Sequence, residues 1–197
     1  MITWISEPFR AAIALLALSA LTACEGGQGL TLGGPAAPEK PLLQTKMAGG
    51  AVHLVPPQGY CIDRKSLKPR FALMARCDAL GVPDVITDAP LGILTVSLVD
   101  GKPGAPLPTP TQVAKAAKLT RVMDPSTRDG ATIFAADGPV PIEGMSARQW
   151  RGTALIGGQT ASVTFYGPPQ SRAISGEGRT VVANLIQRSV ANSPATN

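Results

Sequence analysis

"RQWRGTALIGGQTASVTFYG", Arg148 to Gly167, carries the reading of the fold. At its centre Gly157-Gly158 can take the positive φ angles that a tight two-residue hairpin turn requires. Pairing outward from that turn sets Ile156 opposite Gln159, Ala154 opposite Ala161, Gly152 opposite Val163 and Trp150 opposite Phe165. The alternate residues pair Leu155 with Thr160, Thr153 with Ser162, Arg151 with Thr164 and Gln149 with Tyr166. The first set is mostly apolar and the second mostly polar, the alternation expected of a half-buried antiparallel sheet. Trp150 against Phe165 reads as core packing. A small-ligand or enzymatic site, if the 146–166 hairpin carried one, would lie on the polar face near Gln149, Arg151 and Tyr166.

Outward from this hairpin, "AVHLVP", "FALMARCDA", "GILTVSLVD" and "ATIFAAD" are strand-like. Two stretches have helical period instead. In "TPTQVAKAAKLTRVM", Thr109 can cap and Pro110 suits the first turn, where its missing N–H costs nothing. Val113, Ala116, Ala117 and Met123 would form the apolar stripe. In "SGEGRTVVANLIQRSV", Ser175 is the expected cap, Glu177 complements the helix N-terminus, and Val181, Val182, Leu185 and Ile186 make the buried face. This order predicts an α+β domain, an antiparallel β-sheet packed with two α-helices. With "VPPQGY" leading in and "VVANLIQRSV" closing, the arrangement resembles the PsbP-like α/β/α sandwich of photosystem accessory proteins over most of residues 51–190. That family carries a Gly-Trp pair after its leading proline turn where this chain has Gly59-Tyr60. The resemblance therefore implies architecture, and no calcium or photosystem role is carried over.

The N-terminus has the form of a secretory signal. An apolar run of 13 residues, Ala11 to Ala23, follows Arg10; spanning a membrane takes roughly 20. It ends in "LTAC" before "EGG", which resembles the bacterial lipobox and implies cleavage before Cys24 and lipidation of that cysteine. Glu25 after the cysteine, by the sorting rule of such lipoproteins, favours the outer over the inner membrane. The domain reading is thus a signal peptide over 1–23, a flexible Gly/Pro-rich tether over 24–50, a single α+β domain over 51–190 and a disordered tail over 191–197. The net charge of +5 aids attraction to anionic surfaces without establishing nucleic-acid binding. Beyond the signal the aromatics are Tyr60, Phe71, Phe134, Trp150, Phe165 and Tyr166, too few for a base-stacking platform. No nucleic-acid partner is expected.

Export also decides the cysteines. Cys61 and Cys77 are spaced neither as a redox C-x-x-C nor as a zinc pair. In an oxidising compartment, with Cys24 taken by lipid, the odd count resolves into one anchor and one Cys61–Cys77 disulfide. The enclosed loop holds Arg64, Lys65, Lys68 and Arg70. It reads as a solvated hairpin tip or, in the sharper reading, as a basic rim suited to an anionic envelope component or an acidic protein partner. Catalytic patterns are missing: no G-x-S-x-G, no S-x-x-K after Ser66, and a lone His53 without an H-E-x-x-H partner. Asp84 and Asp88 lack calcium-loop spacing, and "SGEGRT" lacks that of a phosphate loop. No cofactor or metal is expected. The sequence thus reads as a non-enzymatic, lipid-anchored binding or envelope-assembly domain, with the hairpin-face ligand site or enzyme as the alternative.

Overall fold

The computed structural model of the chain describes residues 40–82, 87–102 and 105–195. The signal segment, Cys24, the tether up to residue 39, Asp84 and residues 196–197 lie outside the described residues. In chain order the elements are β1 (Thr45–Met47), β2 (Val52–Leu54), β3 (Tyr60–Ile62), β4 (Phe71–Arg76), β5 (Ile93–Asp100) and α1 (Pro110–Ala116). They continue with β6 (Arg121–Arg128), β7 (Ala131–Asp137), β8 (Arg148–Ile156), β9 (Gln159–Tyr166) and α2 (Gly176–Asn192). Strands β3 to β9 form one sheet in the order β3-β4-β5-β9-β8-β7-β6, antiparallel throughout. β1 and β2 form a separate two-stranded ribbon. With its two helices this is the α+β fold expected.

The β8–β9 hairpin has the register read from its alternation, pair for pair. Gly157 and Gly158 take φ values of 52° and 75°, the left-handed conformation that keeps a two-residue turn in step with strand twist. The apolar face of β8 and β9 meets Leu94 and Val96 of β5, Met74 of β4 and the Val182, Leu185 and Ile186 side of α2. Each fully buried side chain of that size contributes roughly 1.5–3 kcal/mol. Trp150 packs in this core as expected and also donates its indole N–H to the Ser175 carbonyl at 2.7 Å, which pins the start of α2 to the sheet. Two hydroxyls then attach the ribbon to the same helix. Ser189 accepts from the Val55 N–H at 3.2 Å and Ser193 from the His53 N–H at 2.9 Å.

The structure departs from the sequence reading at several places. Thr45–Met47, placed in the tether, is a strand with Met47 in the core, because pairing with β2 satisfies its backbone while burying that side chain. The first helix stops at Ala116 instead of running to Met123. Lys118 is left-handed at φ 54°, and the chain turns there into β6. The buried residue of α1 is Ala114, whereas Ala116 is exposed. β6 starts inside the stretch whose period predicts helix; β7 is buried nearly throughout, so both its edges need partners, β8 on one side and β6 on the other. At the C-terminus, α2 runs through Asn192 into the span assigned to a disordered tail, and Ser193 bonds the ribbon. The polar hairpin face is covered at its centre: Gln149, Thr153 and Thr164 are 0%, 2% and 4% exposed. Phe134 and Ala136 of β7 are buried on that same side.

Candidate interaction surfaces

The β3–β4 connection is built rather than loose. Asp63 accepts from the Lys65 and Ser66 N–H groups at 3.2 and 3.1 Å and so caps a single 3-10 turn, Arg64–Ser66. Ser66 donates to the Asp63 carbonyl at 2.9 Å and accepts from the Leu73 N–H at 3.2 Å, tying the turn to β4. Cys61 and Cys77 are disulfide-bonded at the base, with Cα atoms 4.9 Å apart and both residues buried. In the chain-entropy view a loop of about this length gains roughly 3 kcal/mol from such a closure.

The four cations are exposed on this stapled loop. The structure distinguishes them. Arg70 pairs with Asp100 at 2.7 Å, and that bond holds the Asp100 carboxyl below its ordinary value. Arg64 donates to the Lys40 carbonyl at 2.9 Å and keeps its charge unpaired. Among the described residues Arg64, Lys65 and Lys68 have no carboxylate within ion-pair distance. The local balance is three unanswered cations beside one carboxylate, Asp63. The Asp100 contact comes from the far end of β5 and has no local signal in the sequence.

On the opposite side of the hairpin, Gln149, Arg151 and Tyr166 share one face. Gln149 is occupied structurally. Its Oε1 accepts from Arg151 Nε at 2.9 Å, and its Nε2 donates to the Pro139 and Ala147 carbonyls at 3.2 and 3.4 Å. Burial lowers the Arg151 pKa from that of a free guanidinium. No carboxylate pairs with Arg151 among the described residues. The neighbouring Thr153 hydroxyl is buried without a hydrogen-bond partner.

A third cluster absorbs most of the remaining candidates. Arg172 pairs with Asp88 at 2.8 Å and with Glu177 at 2.5 Å, and these bonds keep both carboxyls below their ordinary values. Arg76 holds Asp78 in the same way. Tyr60 donates to the Pro90 carbonyl at 2.5 Å and stacks edge-on against Phe165, and burial raises its pKa. Asp88 is thus an ion-pair partner of Arg172. The start of α2 is closed by Ser175, which accepts from the Glu177 N–H at 3.2 Å, as capping predicts. Among the described residues no three His, Cys, Asp or Glu side chains are placed to hold a metal ion, and no helix is long and apolar enough to cross a membrane.

No family model matches the chain, and no curated protein matches it in sequence. Solved structures do. One is the Ran-binding protein Mog1p of Saccharomyces cerevisiae, at 8% identity and a TM-score of 0.51, covering 75% of this chain and 94% of that one. Another is the cyanobacterial PsbP of Synechocystis, at 13% identity, covering 79% of this chain and 96% of that one. Its TM-score of 0.37 is too low for the likeness to carry weight. The overlap with Mog1p extends over most of the domain and shows a shared fold, and at such identity the fold alone.

Proposed function

We propose that this chain is a lipid-anchored, periplasm-facing lipoprotein whose domain is a non-enzymatic accessory that binds an anionic envelope component through the β3–β4 connection. The observation that carries this reading is the stapled loop. A disulfide and an Asp63-capped turn hold Arg64, Lys65 and Lys68 exposed and without carboxylate partners among the described residues. A pre-ordered charged loop loses less entropy on binding than a floppy one. Pairing of Cys61 with Cys77 also leaves Cys24 as the odd cysteine, available for the lipid that its lipobox-like setting implies. Glu25 favours the outer membrane as the destination. Mog1p, which has this fold, is a Ran-binding protein, so binding a protein partner is one use of the architecture.

Two measurements test the reading. Metabolic labelling with radioactive palmitate should mark the wild-type chain and not Cys24→Ala; equal labelling of both would remove the anchor. Retention of the full chain on washed envelope material should fall with rising salt and be lost when Arg64, Lys65 and Lys68 are replaced by glutamine. Arg70→Gln, whose charge is already answered by Asp100, should change it little. Unchanged retention in the triple variant excludes the loop, and retention that follows an envelope protein rather than lipid or polysaccharide moves the reading to a protein partner. The competing reading, a small-ligand site near Gln149, Arg151 and Tyr166, draws support from Arg151 without a carboxylate and from the unpartnered Thr153 hydroxyl.

A further inference from the structure

Helix α2 packs chiefly over β8 and also against β7 and β9. Between the helix and the β6–β7 pair lies a groove of about 840 Å³. That volume is within the range of roughly 300–1,000 Å³ usual for ligand sites. Ala131 and Ile133 of β7 line its sheet side, and Ala183, Ile186 and Val190 with the amides of Asn184 and Gln187 line the α2 side. Arg179 lies near the start of α2, and Arg128 lies where β6 turns into β7.

The register places these arginines toward opposite ends of the groove. Trp150 holds the start of α2 through Ser175, and Ala135 pairs with Trp150. The β6–β7 turn follows Ala131, four residues or about 13 Å from that anchor along β7, and Arg179 lies one helical turn in from the anchor. Neither arginine has an ion pair among the described residues, and Asp129 is the one carboxylate on the lining.

We infer that this groove binds an extended peptide of alternating apolar and acidic residues, with Arg179 and Arg128 taking its carboxylates. The apolar side chains would cover Ala131 and Ile133. Asn184 and Gln187 both donate and accept, which suits the alternating N–H and C=O groups of a peptide backbone. Two separate arginines suit a ligand with more than one carboxylate, which a fatty acid with its single acid group does not supply, so the charges favour an acidic peptide over an acyl chain. Strand addition to the free edge of β6 is a poorer fit, because the bulge between Met123 and Ser126, with Pro125 inside it, breaks that edge. The site is independent of the β3–β4 connection, which lies at the other end of the sheet.

The test is fluorescence anisotropy of the full chain in detergent with a labelled peptide of three Val-Glu repeats, against the matching Val-Lys peptide. The wild type should prefer the Val-Glu probe. Arg128→Glu with Arg179→Glu should weaken that binding by roughly tenfold or more, as loss of two charge contacts predicts, and turn the preference toward Val-Lys. Ala183→Trp, which narrows the groove without changing charge, should also weaken it, while thermal unfolding confirms that each variant is folded. Equal binding of the two peptides by the wild type, or unchanged affinity in the charge-reversed variant, overturns the inference. So does loss of binding in the Arg64, Lys65 and Lys68 glutamine variant, which would place the probe on the loop. Displacement of the peptide by octanoate at similar concentration would make the groove a lipid site instead.

Discussion

Gly152 stands in the middle of β8, a position where strand propensity alone would favour a β-branched residue. A Cβ there would lie 2.7 Å from Val182 Cγ1 and 2.9 Å from Ile186 Cδ1, so the missing side chain is what lets α2 seat on the sheet. Gly152→Val should therefore destabilise the fold by about 1–3 kcal/mol, the usual cost of overpacking, measured as a lower urea midpoint with the slope unchanged. Unaltered stability would mean that α2 can shift outward freely. Other single residues were less legible. Ser189 looks like one more polar position on a helix; only its neighbours show that it is buried and answers the Val55 N–H. Thr109, Pro110, Ser175 and the Gly-Gly turn were legible because caps and tight turns are satisfied within a few residues of the chain.

At the scale of elements, α2 shows how far local signals reach. Its apolar face and its Ser175 cap follow from spacing, and the observed buried set contains Val181, Val182, Leu185 and Ile186 as read. Ser175→Ala removes the acceptor for the Glu177 N–H but keeps the carbonyl that Trp150 uses. It should cost about 0.5–2 kcal/mol, seen as a lower unfolding midpoint with the native tryptophan emission unchanged. A shifted emission would show that the cap also positions Trp150. The first helix is the counter-example. Helical period continues past Ala116 in the sequence, but the demand of β7 for a partner takes residues 121–128 into the sheet. Similarly, the two cysteines could be paired by reading the signal-like N-terminus together with the odd cysteine count, whereas the loop between them was divided into free and answered cations only by Asp100.

For the molecule as a whole, the exposed ion pairs predict a shallow acid limb in stability. Asp78, Asp88 and Asp100 are held below the ordinary 3.8, and Glu177 below 4.5, in each case first by a hydrogen bond from an arginine. A carboxylate whose pKa is lower folded than unfolded stabilises in full above its unfolded value and loses that contribution as pH falls through the folded one. Stability should thus be level above about pH 5 and decline as the pH drops through 4.5 and 3.8. Denaturant titrations across that range provide the check. Arg172→Gln frees Asp88 and Glu177 together and should flatten the limb more than Arg70→Gln, which frees Asp100 alone; equal slopes in all three proteins would assign the limb elsewhere.

Alternation around Gly157-Gly158 was enough to settle the central hairpin and its register, because a two-residue turn and a period of two leave one consistent pairing. Helix caps and the α+β class came from the same short range. The tertiary structure decided what depends on distant partners. It drew Thr45–Met47 into a ribbon against β2, ended α1 early and covered the polar hairpin face. It also brought Asp88 to Arg172 across 84 positions and opened the groove beside α2. Those features arise where buried backbone and charge must be satisfied by whatever the fold brings near, and sequence spacing carries no record of that proximity.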